Sequence, residues 1–150
     1  MQRAEATASI PTSAAELFAF VADPANLPAW QTGILSAELT SGGPVGRGST
    51  ARIERQLLGQ RITADLTMTA YEPDRRLVLG STVSGVRAEA TLELTPVDGA
   101  TRIRFEMTFS AASLFMAPFE GMAAGAAKQD LASSLERLRA HFSATADSGG

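Results

Sequence analysis

The sequence predicts an α+β domain: seven antiparallel strands in one sheet, two short helical segments between the first and second strands, and a long C-terminal helix laid across the sheet. Three observations carry this. Apolar and polar residues alternate with a period of two at the N-terminus and again, interrupted by turns, from Ile34 to Ser110. A capping box opens a helical stripe directly after the first of these runs. Near the C-terminus the spacing changes: Leu131, Leu135, Leu138 and Phe142 recur at intervals of four, three and four. A sheet with one wet face must bury the other, and this last helix is the only element large enough to cover it.

Taken in order, Ala4, Ala6, Ala8 and Ile10 alternate with Glu5, Thr7 and Ser9, a half-buried strand ended by Pro11. In Ser13-Ala14-Ala15-Glu16 the serine oxygen is placed to accept from the Glu16 amide, and the Glu16 side chain to reach back to the cap amide. Ala14, Leu17, Phe18 and Val21 then form one apolar stripe, stopped by Asp23-Pro24. Pro24 to Gln31 has room for one short helical turn, ending near Trp30. After a strand beginning at Ile34, Ala51, Ile53 and Leu57 share the inward face of the next. Past Leu58-Gly59, the residues Ile62, Ala64, Leu66, Met68 and Ala70 face opposite to Thr63, Asp65, Thr67, Thr69 and Tyr71. Glu72-Pro73-Asp74 turns the chain, and Leu77 and Leu79 continue the inward face. Ser84-Gly85 reverses it again, and Ala88, Ala90, Leu92 and Leu94 oppose Arg87, Glu89, Thr91 and Glu93. Asp98-Gly99 is a strong hairpin signal, after which Ile103, Phe105, Met107 and Phe109 face inward. Pro118 suits the first turn of the closing helix, which to Phe142 spans about 37 Å.

At 150 residues and 45% hydrophobic composition, one domain with one core is expected, over 1–142, with a small, polar, flexible tail at 143–150. With no cysteine there is no disulfide scaffold, thiol nucleophile or Cys-based metal site. The single histidine, His141, leaves no His-rich metal centre, so no metal and no cofactor are expected. The net charge of −3, without a basic stripe, argues against a nucleic-acid partner. No apolar run reaches the length of a membrane span, and the first ten residues lack the apolar core of a secretory signal, so a cytoplasmic protein without stable membrane insertion is expected.

A catalyst needs an acid or base within hydrogen-bond reach of a substrate held on the inward face. That face offers Ala, Ile, Leu, Met and Phe. Glu54, Asp65, Glu89, Glu93 and Glu106 have outward parity, as does Tyr71 at its strand end, so no catalytic residue is nominated. Arg55 is the exception, sharing the inward parity of Ile53 and Leu57. It either holds a ligand carboxylate or phenolate, or snorkels to water at the open end of the sheet. Trp30 is either a wall of a binding site or a core aromatic closing the sheet, and the two roles are compatible. His141, close to the expected helix end, is accounted for by the helix C-terminus, and Lys128 by ordinary solvation. Phe115, Phe119 and Met122 lie in the stretch richest in large flexible side chains, just before the small residues Ala123 to Ala127. They fit an adaptable lid over a cavity, or plain close packing of helix on sheet.

The stretches Ile10-Pro11-Thr12-Ser13-Ala14-Ala15-Glu16-Leu17-Phe18, Asp23-Pro24-Ala25-Asn26-Leu27-Pro28-Ala29-Trp30, Gly46-Arg47-Gly48-Ser49-Thr50 and Tyr71-Glu72-Pro73-Asp74-Arg75-Arg76-Leu77, with the amphipathic Leu131 to Phe142, occur in the order and spacing of one superfamily. Over about residues 4 to 142 the chain resembles the START-like, helix-grip proteins, the fold of the birch-pollen allergen, and within them the polyketide cyclase/dehydrase-like branch. The resemblance implies a curved sheet gripping the C-terminal helix around an apolar cavity. It does not imply one function. The reading preferred here is a binding protein for a small hydrophobic molecule of the lipid, polyketide, isoprenoid or quinone class. Its expected lining is Trp30, Ile53, Arg55, Leu57, Met68, Leu92, Met107 and Phe109, with Phe115, Phe119 and Met122 from the lid. The alternative is a cyclase or dehydratase in which cavity shape directs the reaction. An interaction module using the outer sheet face ranks last, because that face mixes charges and threonines without an apolar patch.

Overall fold

A computed structural model describes the backbone of residues 2–57, 59–83, 85–111 and 117–149, and the side chains of these except 57, 83, 111, 117–124, 126 and 144–149. The order is β1 (Gln2–Ile10), α1 (Ala14–Val21), a 3₁₀ turn (Pro24–Asn26), α2 (Leu27–Trp30), β2 (Ile34–Leu39), β3 (Thr50–Leu57), β4 (Gln60–Glu72), β5 (Arg76–Val83), β6 (Val86–Val97), β7 (Ala100–Ala111) and α3 (Ala117–Gly149). All seven strands form one antiparallel sheet in the order β1-β7-β6-β5-β4-β3-β2.

Local chemistry sets the element ends. Ser13 caps α1 by accepting from Glu16 N at 3.2 Å. The Glu16 carboxylate accepts from the Thr12 hydroxyl at 2.6 Å, in place of the expected cap amide. Asp23 caps the 3₁₀ turn through Ala25 N. Asp98 and Gly99 both have positive φ, 49° and 81°, the primed turn that matches strand twist.

The inward face repeats across the sheet in rows. Ala6, Phe105, Leu92, Leu77 and Tyr71 lie side by side on five strands, and Ala4, Met107, Ala90, Leu79 and Met68 form the next row. α3 crosses this face against β1 and β7, burying Ala127, Leu131, Leu135, Leu138 and Phe142. Each large side chain so buried contributes about 1.5–3 kcal/mol. The alanines of β1 let the helix approach closely.

Two expectations are corrected. Tyr71 faces inward: the register shifts between Met68 and Ala70, so Thr69 is an extra residue and everything after it changes face. Tyr71 therefore pairs with the fully buried Leu77 and packs edge-on against Phe18 at 5.2 Å, while Ala70 turns outward opposite Val78. α3 continues past Phe142, where the apolar stripe ends, through Gly149. His141 is consequently about two turns from the helix end, and it stacks on Phe20 at 4.3 Å.

Candidate functional site

The inward face is apolar and not evenly covered. Leu92 and Phe105 are fully buried, whereas their face-mates Leu66, Ala88, Ala90 and Met107 keep partial exposure. A small apolar gap of about 10 Å³ lies among Leu27, Leu39, Ala51, Leu66, Met68 and Leu79. That is room for about one water, not for an organic ligand. The acidic side chains of the sheet lie on the opposite face, as their parity predicts: Asp65 pairs with Arg52, Glu54 with Arg61, Glu89 with Arg87, and Glu93 and Glu106 with Arg104. These five carboxylates therefore lie away from the inner face. Among the described residues, no three His, Asp or Glu side chains converge as metal ligands, and no helix is long and apolar enough to cross a membrane.

Several polar groups lie where α2 runs into β2 and on the strand beside it. Trp30 is wholly buried, its ring 5.6 Å from that of Phe105, and its indole N–H has no hydrogen-bond partner. Thr32 N donates to Ser134 Oγ at 2.8 Å, and Ser134 Oγ donates to the Asp130 carbonyl at 2.7 Å, tying this connection to α3. Gln56 N donates to Gly33 O at 2.8 Å. Arg55 lies directly across from Ile34 on one side and Ile62 on the other, so its side chain shares their inward face. It is partly buried and its Nε–H has no partner. Burial pushes the guanidinium pKa below its ordinary value, against the opposing field of Asp130.

Gly33 lies beside Arg55 and Asp130. Its φ of +93° belongs to glycine, and a Cβ at that position would lie 3.4 Å from Gln56 O, 3.8 Å from Arg55 Nη2 and 3.9 Å from Asp130 Oδ2.

Of the expected lining, Ile53, Met68, Leu92 and Phe109 are buried on the inner face with Trp30, and Met107 is partly exposed there. The Leu57 side chain, Phe115 and the side chains of Phe119 and Met122 lie outside the described residues. Sequence reasoning missed Thr32, Asp130 and Ser134, which gain meaning only from a contact about a hundred residues away. It also missed Ser81, whose buried hydroxyl has no partner and which sits on the inner face of β5. For Tyr71 one signal existed: a large aromatic in a slot that parity assigns to water.

The sequence profile of one family, described as polyketide cyclase / dehydrase and lipid transport, matches residues 1–143. No curated protein matches the chain by sequence. Among solved structures, a START superfamily protein from Mycobacterium smegmatis is similar with a TM-score of 0.76 at 17% identity, covering 94% of this chain and 99% of that one. Ara h 8.0201 gives 0.73 at 18% identity, covering 95% and 97%. The di-domain ARO/CYC BexL from the BE-7585A biosynthetic pathway gives 0.74 at 20% identity, covering 95% of this chain and 46% of that one. The likeness extends over nearly the whole chain and establishes the helix-grip fold.

Proposed function

The chain belongs to the polyketide cyclase/dehydrase and lipid transport family, and from that premise we propose that it binds a small hydrophobic molecule, of the lipid, polyketide, isoprenoid or quinone class, between the inner face of the sheet and α3. The observation that carries this reading is the uneven covering of an apolar face. Leu66, Ala88, Ala90 and Met107 stay partly exposed beside fully buried neighbours, while α3 packs chiefly on β1 and β7. An apolar sheet face left partly accessible beside a fully buried core is a common place for an apolar ligand. Trp30, Met68, Leu92 and Met107 would form the wall, with Arg55 at one end.

Native mass spectrometry of freshly purified protein, followed by solvent extraction, tests this. A co-purifying apolar molecule of defined mass is the expected result. An empty protein whose single tryptophan, Trp30, responds to no lipid, quinone or aromatic polyketide would count against it.

A second reading, a cyclase or dehydratase, draws support from Tyr71 and Ser81, two hydroxyls on the inner face. Neither has a carboxylate or imidazole partner among the described hydrogen bonds, so shape and orientation would have to supply most of the rate. Loss of turnover with retained binding in Tyr71→Phe is the result this reading requires.

A further inference from the structure

Resting on the reading of an apolar ligand, we propose that the ligand lies over Ala88 and Ala90 on the inner face and presents a neutral oxygen, a ketone or a hydroxyl, to the hydroxyl of Ser81.

Register places side chains of three strands in two rows on this face: Ser81, Ala88 and Phe109 in one, Leu79, Ala90 and Met107 in the next. The middle strand contributes only methyl groups there, while Leu79 on β5 and Met107 and Phe109 on β7 stand taller beside them. Residues two apart on a strand lie about 7 Å from each other, and strands two apart in a sheet about 10 Å, the breadth of a fused ring system. Ala88, Ala90 and Met107 keep partial exposure. The adjoining row is filled differently: Leu77, Leu92 and Phe105 are large and fully buried.

Small side chains alone would mean only close packing. Ser81 adds an independent observation. It is 7% exposed, and its Oγ is buried without a hydrogen-bond partner. Folded proteins pair the large majority of such atoms, and burying an unpaired hydroxyl opposes folding. Alanine would fill the position, as Ala88 does directly across on β6, without that penalty. Directly opposite side chains have Cβ atoms about 5 Å apart, so an atom seated on Ala88 comes within the sweep of the Ser81 hydroxyl about its one side-chain bond.

The chemistry of the partner follows from what surrounds it. A hydroxyl can donate to a carbonyl and accept from another hydroxyl. The charged residues next to these rows, Arg87 and Glu89, pair with each other on the opposite face, so no charge stands in either row to hold an ion. The oxygen is therefore neutral and carried on an apolar, ring-sized body.

Calorimetric titration of the full chain with menadione and with 2-methylnaphthalene, which is menadione without its carbonyls, tests this. The chain has no cysteine for the quinone to alkylate. Ser81→Ala should weaken menadione about fivefold or more, leave 2-methylnaphthalene within about twofold, and leave the melting temperature of the ligand-free protein unchanged or raised. Ala88→Val, or Ala90→Val if that variant does not fold, should weaken both ligands about fivefold or more by occupying the space above the strand. An equal effect of Ser81→Ala on the two ligands would overturn the proposal, and so would undiminished binding in a folded valine variant. A clear fall in the melting temperature of Ser81→Ala would overturn it too, by showing that the hydroxyl already has a structural partner. If neither ligand binds the wild type, the proposal falls. The apolar-ligand reading then stands or falls separately, on whether the purified protein carries an extractable apolar molecule.

Discussion

Thr32 N–H and Ser134 Oγ meet at 2.8 Å across 102 residues of sequence, and this bond is where α3 is fastened to the start of β2. Ser134 is buried, 2% exposed, and its own proton goes to the Asp130 carbonyl one turn earlier. The bond therefore fixes the depth of the helix segment that places Asp130 opposite Arg55. Ser134→Ala leaves a shielded backbone donor unpaired and should cost about 1–2 kcal/mol in urea unfolding. Ser134→Thr, which retains the oxygen, should recover part of this. A loss below about 0.3 kcal/mol would mean that water replaces the hydroxyl at no cost.

Tyr71 is diagnostic of the Thr69 bulge. Packed against Phe18 and beside Leu77, its truncation to alanine should cost about 2 kcal/mol. A tyrosine on the wet face would cost no more than about 0.5 kcal/mol. Equilibrium unfolding of Tyr71→Ala separates the two placements directly.

Arg55 should work against stability. Its lowered pKa, caused first by desolvation and only partly opposed by Asp130, means that the charged form is disfavoured by folding. For a base of depressed folded pKa, stability rises as pH climbs through that pKa, so at neutral pH the full penalty is present. Arg55→Met should therefore stabilise the ligand-free protein by about 1 kcal/mol. A destabilised variant in thermal melts would show that Asp130 holds the guanidinium more firmly than burial opposes it.

On the outer face Arg104 stands among Glu5, Glu93 and Glu106, with Arg3 also reaching Glu106. Glu5 and Glu106 are directly opposite each other on β1 and β7, a like-charge pair that Arg104 separates. Arg104→Met should cost about 0.5–1 kcal/mol at low salt, and less than half of that near ~1 M salt, where screening is nearly complete. The Arg104 pKa is raised, chiefly by its hydrogen bond to Glu5, so its contribution is complete below arginine's ordinary value and lost only above it. The difference between variant and wild type should accordingly stay constant between about pH 6 and about pH 9. Melting curves at several pH values and salt concentrations check both statements.

Periodicity, capping and turn chemistry act over a few residues, and what depends on them was legible in the linear chain. The Ser13 cap, the Asp98-Gly99 hairpin, the inward rows from Leu77 to Phe109 and the Leu131 to Phe142 stripe all stand where their local patterns put them. So do the outward carboxylates and the inward Arg55, because parity is a local property until a bulge intervenes. Two bulges do intervene, at Leu35 and at Thr69. The first sends Leu35 to solvent, 42% exposed, while Ile34 stays in the core. The second brings Tyr71 inside. A bulge forms when packing across strands rewards an extra residue, and nothing in one strand's own sequence records the fit of its neighbours.

The site divides along the same line. That Arg55 and Trp30 were the residues to watch followed from the chain alone, since a cation with inward parity and a lone tryptophan are rare in an otherwise apolar pattern. Only the tertiary structure decided that Gly33, with its positive φ, lies beside the guanidinium and that Asp130 stands near it. It also decided that the indole and guanidinium donors are left without acceptors. Those facts join segments about 20 to 100 residues apart, where distance and solvent exclusion replace local propensity as the determining physics.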